Sequence, residues 1–223
     1  MKHCDHSDKA AKNMTAAESE QLFGYMLSGT LNDDEIAKIL LALKNKGETA
    51  DEILGAIRAI KKICPPPNPR RESSPPLGGE GWGEGVIDVC GTGGDGLSTL
   101  NISTAVAIVV AGAGVKVAKH GNKAVSSSSG SSDVLSELGI KLTANSSLLT
   151  GNFAYFHAPL YYPALKIVAP ARAKIGRTIF NLLGPLLNPV GAKRQLIGVY
   201  SPNLLPIFAK VLRDLGSQKA WVV

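Results

Sequence analysis

Apolar residues in the first third of the chain recur at helical spacing. In residues 16–28, Leu22, Phe23, Met26 and Leu27 fall on one side. Asn32 followed three residues on by Glu35 is a capping-box arrangement, and behind it Ile36, Ile39, Leu40 and Leu43 line one face up to a stop near Gly47. Thr49 caps a third helix, with Ile53, Leu54, Ile57 and Ile60 turned inward. Three amphipathic helices in so short a stretch predict a small helical domain over residues 1–63. Its first 15 residues are polar and are expected to form a disordered tail.

The pattern breaks at residues 64–85, which hold six prolines and five glycines. Neither helix nor strand survives that density, so the stretch predicts a linker, with residues 68–85 as a low-complexity insertion. From residue 86 the rhythm changes. Residues 86–90 predict a strand, 103–111 an apolar helix, 115–118 a second strand and 133–138 a further helix. Strand, glycine loop, helix and strand in that order is the βαβ signature. The fold class expected is α/β: a small N-terminal helical domain and a larger α/β domain, 86–223, with a mostly parallel sheet. Ligands of such sheets lie beyond the carboxyl ends of the strands. The loops after Cys90 and Ala118 leave that edge.

Composition narrows the classes. Of 223 residues 44% are apolar, an ordinary globular balance. No apolar run reaches the roughly 18 residues of a membrane span, and the N-terminus lacks the apolar core of a signal peptide, so the cytoplasm is the expected location. Cys4, Cys64 and Cys90 are too few and too far apart for a disulfide framework. His3, Cys4 and His6 lack the second cluster of ligands that a metal site needs. The net charge of +6 suits an anionic partner. With only 5% aromatic residues, none interleaved with the basic ones, a small anion is favoured over a nucleic acid.

Three segments share that chemistry. Gly91-Thr92-Gly93-Gly94-Asp95-Gly96 follows the first strand and satisfies G-x-G-x-x-G. A dinucleotide fold would place an acid at the end of the second strand, whereas this chain has Lys119-His120-Gly121-Asn122-Lys123, cations suited to phosphate. Glycines let backbone N–H groups approach phosphate oxygens. Ser98-Thr99-Leu100-Asn101-Ile102-Ser103-Thr104 opens a helix, whose N-terminus favours anions. Asp95 serves either as a turn residue or as an acceptor for a sugar or for Mg²⁺ and its waters. Ser126-Ser127-Ser128-Ser129-Gly130-Ser131-Ser132-Asp133 adds a wall of hydroxyls.

Taken in order, these segments resemble the anthranilate phosphoribosyltransferase family. Lys46-Gly47-Glu48-Thr49 and the run from Arg177 through Thr178, Ile179, Phe180 and Asn181 to Asn188-Pro189 extend the likeness over nearly the whole chain. The resemblance implies a nucleoside phosphorylase/phosphoribosyltransferase-like fold and a glycosyltransferase of tryptophan biosynthesis. That enzyme joins anthranilate to phosphoribosyl pyrophosphate (PRPP) with Mg²⁺ as cofactor, and acts as a homodimer. The PRPP site it implies comprises Gly91, Gly94, Asp95, Thr99, Asn101, Ile102, Ser103, Thr104, Lys119, His120, Gly121, Asn122, Lys123, Ala124, Val125, Ser126, Ser127 and Ser131. Gly91, Asn122 and Arg172 would meet anthranilate, and Ser103 would meet Mg²⁺. No side chain is assigned as an acid or base.

The chain departs from the family pattern in three places. Tyr161-Tyr162-Pro163-Ala164-Leu165-Lys166 stands where the family has His-His-Pro-Ala-Met-Lys, and Arg172 to Arg177 is one residue short. The family also continues past a strand resembling Ala220-Trp221-Val222-Val223 and carries there an Asp-Glu pair for Mg²⁺, so the chain reads as C-terminally truncated. The alternatives are a non-catalytic nucleic-acid-binding homologue, an inactive remnant and a pyrimidine-nucleoside phosphorylase. The contexts of Asn122 and Arg172 point away from the last.

Overall fold

The structure is a computed structural model, and it describes residues 6–65, 85–93, 100–123, 129–140 and 148–223. In chain order the elements are α1 (His6–Ala10), α2 (Ala16–Leu27), α3 (Asp33–Lys46), α4 (Ala50–Ile63), β1 (Ile87–Gly91), α5 (Ile102–Gly112), β2 (Val117–Gly121) and α6 (Ser131–Glu137). They continue with β3 (Leu148–Thr150), β4 (Phe153–His157), α7 (Ala158–Tyr161), α8 (Ala169–Ile175), α9 (Ile179–Leu183), β5 (Arg194–Gly198), α10 (Leu205–Asp214) and β6 (Lys219–Val222). The chain divides into two compact units: Met1–Pro65 with Tyr162–Leu183, and Pro66–Tyr161 with Gly184–Val223.

The first unit is helical. Thr15 with Glu18, Asn32 with Glu35 and Thr49 with Glu52 each form a complete capping box, so all three starts satisfy backbone donors that a helix leaves open. The apolar faces read from spacing are the buried ones: Leu22, Phe23, Met26 and Leu27 on α2, Ile36, Ile39, Leu40 and Leu43 on α3, and Ile53, Leu54, Ile57 and Ile60 on α4. Gly55 lets α2 and α4 approach closely. A Cβ there would run into the carbonyl oxygen of Ala16, with Ser19 Cβ at 2.6 Å and Glu20 N at 2.7 Å. The buried Glu52 ties the unit together by accepting from the amides of Met14 at 3.0 Å and Thr49 at 2.9 Å and pairing with Lys46 at 2.8 Å.

Two expectations are corrected in this unit. Residues 6–15 are not a disordered tail: α1 packs on α3, and Ala10 and Met14 are buried. Polar composition hid this because two apolar side chains and one buried amide suffice to anchor the segment. Residues 1–5, with His3 and Cys4, lie outside the described residues. The α/β domain also does not run unbroken from 86 to 223, because Tyr162–Leu183 belongs to the helical unit. The apolar side chains of α8 and α9, Ala171, Ile179, Phe180, Leu182 and Leu183, are buried where those helices meet α3 and α4. Lys174 pairs with Asp34 at 2.8 Å, and Lys44 Nζ donates to the carbonyl of Ile175.

The second unit is a six-stranded sheet in the order β3-β4-β2-β1-β5-β6. All pairings are parallel except β3 with β4. The expected α/β class with a mostly parallel sheet is the one observed. Side chains alternate across it. Val89, Val117, Phe153 and Tyr155 pack with Ala107 and Ala111 of α5 and Leu135 of α6 on one face, while Ala118, Ala154 and Phe156 pack with Val86 and Ala192 on the other. The second strand is Val117–Gly121 and not 115–118, because Val115 is taken up in the turn after α5, where its amide donates to the carbonyl of Val110. That shift puts Lys119 and His120 inside the sheet. No described helix is long and apolar enough to cross a membrane.

Candidate functional site

The carboxyl ends of β1 and β2 lie side by side. Gly91 ends β1, and a Cβ there would meet the carbonyl oxygen of Gly198 at 3.4 Å on the neighbouring β5. Thr92 then turns the chain, its amide donating to Gly198 O at 2.9 Å and its hydroxyl accepting from Tyr200 N at 3.2 Å. Gly93 follows with φ +60°, a left-handed conformation suited to glycine. Gly94, Asp95 and Thr99 lie outside the described residues.

The start of α5 is stitched to the serine-rich segment. Asn101 Nδ2 donates to Ser129 Oγ at 2.8 Å, and Thr104 Oγ1 lies 2.8 Å from Ser131 Oγ. Ser103, one residue before Thr104, is reached by Lys119: Nζ lies 3.2 Å from its hydroxyl and 2.7 Å from the carbonyl of Val89. Lys119 is 1% exposed, and burial pulls its ammonium below the ordinary lysine range. Asn101, Ser103 and Thr104 at the start of α5 thus each meet a side chain of another segment: Ser129, Lys119 and Ser131 in turn. Ile102 contributes only backbone there, since its side chain is largely exposed.

Adjacent strand residues point to opposite faces, and His120 accordingly turns away from Ser103. Its Nδ1 lies 3.0 Å from the carbonyl of Gly184, which can only accept, so that nitrogen carries the hydrogen. Burial holds the imidazole down to about 4, so it is neutral at pH 7. The amide of His120 donates to Asp88 Oδ1 at 3.2 Å. Asp88 is fully buried, and desolvation raises its carboxyl; the Asn188 amide and the Lys119 ammonium oppose that rise. Asn188 also donates to Ala118 O at 2.8 Å, which pins the second strand.

Gly121, Asn122 and Lys123 leave the strand edge. A Cβ on Gly121 would lie 2.8 Å from Tyr155 Oη and 3.2 Å from Ser131 Cβ. Asn122 and Lys123 are exposed; Asn122 Oδ1 accepts from Lys123 N at 2.8 Å, and Asn122 O accepts from Ser132 N at 3.3 Å. Ala124, Val125, Ser126 and Ser127 lie outside the described residues. Arg172 stands on α8 in the helical unit. Its Cζ lies 5.3 Å from the centroid of the Phe180 ring, and burial lowers its basicity. Among the described residues it makes no ion pair. Tyr161 packs on Phe156 with ring centroids 5.6 Å apart, and Tyr162 is 2% exposed.

Two residues that no motif held, Tyr155 and His157, meet the serine-rich segment at Ser132. Ser132 is fully buried, with Tyr155 Oη at 2.7 Å and His157 Nδ1 at 2.9 Å from its hydroxyl. Burial raises Tyr155 to about 12, so its phenol stays protonated. Burial lowers His157, with Lys123 acting in the same direction and Asp133 against it. Alternation along β4 could have flagged Tyr155 as inward, but its partner lies 23 residues away and is not legible from spacing.

As for metals, no group of three His, Cys, Asp or Glu side chains able to hold one occurs among the described residues. The single hydroxyl at Ser103, with Lys119 Nζ 3.2 Å away, is not a preformed protein cage; a divalent cation there would arrive on phosphate oxygens with its own waters.

Comparison with known proteins gives the family. A model described as "Glycosyl transferase family, helical bundle domain" matches residues 7–64, and one described as "Glycosyl transferase family, a/b domain" matches residues 83–223. The chain is 44% identical over 221 residues to the anthranilate phosphoribosyltransferase of Erythrobacter litoralis, covering 96% of itself and 63% of that relative. It is 46% identical over 213 residues to that of Geobacillus stearothermophilus, covering 93% of itself and 59% of the relative. The anthranilate phosphoribosyltransferase structure from Thermus thermophilus superposes with a TM-score of 0.81 at 37% identity, over 96% of this chain and 64% of that one. The Saccharomyces cerevisiae enzyme in complex with PRPP and Mg superposes with 0.82 at 27% identity, over 97% of this chain and 64% of that one. The chain thus spans less than two thirds of the length of these relatives. With its helical bundle and its a/b domain both matched, the chain belongs to the glycosyl transferase family and is similar, over nearly all its length, to anthranilate phosphoribosyltransferases.

Proposed function

We propose that this chain carries the substrate sites of an anthranilate phosphoribosyltransferase. It binds PRPP at the carboxyl ends of β1 and β2 and supports transfer of the phosphoribosyl group to the amine of anthranilate. The observation that carries this reading is the set of contacts at the start of α5, Asn101 with Ser129, Ser103 with Lys119 and Thr104 with Ser131, beside a glycine-ended strand to which Lys119 is also bonded. Hydroxyls, amides and one buried cation converge there, as a phosphorylated sugar requires. The likeness to the yeast enzyme in complex with PRPP and Mg supports the same ligand.

In the reaction the anthranilate nitrogen forms a bond to C1 of the ribose while the bond from C1 to the pyrophosphate oxygen breaks. The nitrogen gives up its proton, and pyrophosphate leaves. An aromatic amine is unprotonated at neutral pH, so no strong base is needed and the protein's work is positioning and charge stabilisation. Gly91, Gly94, Asp95 and Thr99, with Asn101 to Thr104, would hold the donor, Lys119 to Ser127 and Ser131 would complete the cradle, and Ser103 would contact Mg²⁺. Bound Mg²⁺ would supply neutralisation of the pyrophosphate charge. Arg172, with no ion pair among the described residues, suits the anthranilate carboxylate, with Asn122 and Gly91 also assigned to that substrate. The reading further includes a homodimer and a cytoplasmic setting, where the buried thiols of Cys64 and Cys90 stay reduced.

Calorimetric titration of the folded chain with PRPP and MgCl₂ tests the donor site. A saturable heat that disappears in Lys119→Met is expected. A folded chain that gives no heat overturns the reading.

A further inference from the structure

Arg172 is a half-buried guanidinium that makes no ion pair among the described residues, and an aromatic face is the partner it does have. The guanidinium carbon stands 5.3 Å from the Phe180 centroid, within the range in which a ring's negative face attracts a cation. Phe180 is itself held. It is 6% exposed on the short helix α9, and Phe23 of α2 meets it edge-on at 5.7 Å with the planes 63° apart. Phe23 is fully buried between Leu22 and Met26 on the apolar face of α2. Gly176, with φ +79°, ends α8 and reverses the chain so that α9 brings its second residue back under Arg172. All these groups lie in the helical unit.

We propose that Phe180, backed by Phe23, is a positioning residue for the acceptor substrate. Its ring fixes the plane and reach of the Arg172 guanidinium, so that the fork is presented to a planar aromatic carboxylate before the ligand arrives. A long arginine side chain loses much of its rotamer freedom when ordered. A guanidinium already held over a ring has given up part of that freedom in the free protein, so less is lost on binding. The ring also supplies the attraction that a carboxylate side chain would otherwise supply, without occupying the N–H fork that the substrate needs. This inference rests on Arg172 being the carboxylate receptor of the proposed function.

The test compares Phe180→Leu with Phe180→Tyr in the full chain. Leucine keeps apolar volume and removes the ring face, whereas tyrosine restores the face. Three readouts are taken: the Kd for anthranilate from its fluorescence, the Kd for 2-aminobenzamide (its uncharged amide), and the Kd for PRPP with Mg²⁺ by calorimetry. Phe180→Leu is expected to weaken anthranilate about tenfold, leave the amide and PRPP within twofold, and be rescued by Phe180→Tyr. In nitrogen-15 NMR spectra the Nε–H signal of Arg172 carries a ring-current shift that Phe180→Leu abolishes and Phe180→Tyr keeps. Because Phe180→Leu can loosen α9, Phe23→Leu serves as a second variant that leaves the stacked ring in place and is expected to show a smaller loss of anthranilate in the same direction. Equal weakening of anthranilate and amide, or an unchanged anthranilate Kd with the Arg172 signal unmoved, overturns the positioning role. Failure of the wild-type chain to bind PRPP overturns the functional reading instead.

Discussion

Gly55 in α4 tests whether helix propensity or packing decides stability. On propensity alone, glycine to alanine inside a helix stabilises by roughly 1 kcal/mol. The structure predicts the opposite sign. The new Cβ would meet the Ala16 carbonyl oxygen, Ser19 Cβ at 2.6 Å and Glu20 N at 2.7 Å, and two of these are backbone atoms of α2 that no rotamer change can move. To bring Ser19 Cβ alone back to ordinary contact at 3.4 Å, α2 must retreat from α4 by about 0.8 Å, and the nearer Ala16 oxygen asks for more. A gap of that size forfeits about a quarter to a half of each pairwise dispersion contact across the interface. It also stretches the 2.7 Å hydrogen bond from the buried Ser19 hydroxyl to Glu52 O. Overpacking of this kind costs about 1 to 3 kcal/mol, and contact with backbone puts it at the upper end or beyond. Set against the propensity gain, Gly55→Ala is expected to destabilise by about 2 kcal/mol, a fall of roughly 4–8 °C in the melting temperature for a chain this size. Thermal melting followed by helical circular dichroism measures it. An unchanged or raised melting temperature would refute the packing argument.

Two further outcomes follow from buried charge. His120 is held at about 4 in the folded chain against an ordinary value of 6.5, so the unfolded chain binds the proton first. Its contribution is intact above pH 6.5 and is lost as pH falls towards 4, about 3 kcal/mol in total. Urea denaturation from pH 7 to 4 should show a slope that His120→Asn reduces, and a variant with the wild-type slope counts against the assignment. Lys46→Met strips the buried Glu52 of its cation and should cost about 3 kcal/mol, partly recovered when Glu52→Gln is added. Losses that simply add in the double variant would mean the two side chains are not coupled.

The helical starts at Asn32 and Thr49 were legible from sequence because each is a local device, a capping residue before an apolar stripe within a few turns, with an acid three positions on at Asn32; the box at Thr15 and Glu18 and the acid at Glu52 came from the structure. The parallel sheet was legible for a related reason, since glycine loops punctuate an alternation of short apolar strands and helices. Clustering of the glycine, lysine and serine segments could also be expected, because successive loops of a βαβ unit leave the same edge.

Other features depend on partners distant in sequence, and periodicity carries no information about those. Met14 is anchored by Glu52, 38 residues away, so a polar N-terminal stretch became part of the core. Tyr162–Leu183 belongs to the helical unit, where α8 packs on α3 and α9 on α3 and α4, elements more than a hundred residues away in sequence. A strand displaced by two residues turned Lys119 into a buried tether to Val89 and Ser103, and turned His120 to the opposite face.

The amino-acid sequence by itself thus determined the helices of the N-terminal unit from residue 16 on, the strand and helix around the glycine loop, the sheet class and the chemical character of the loops, because capping, periodicity and backbone freedom act over a few residues. Only the tertiary structure decided which hydroxyls meet the lysine, which ring lies under Arg172 and where each unit ends. Those contacts are set by long-range packing and by the need to satisfy buried polar groups, which act across the whole chain.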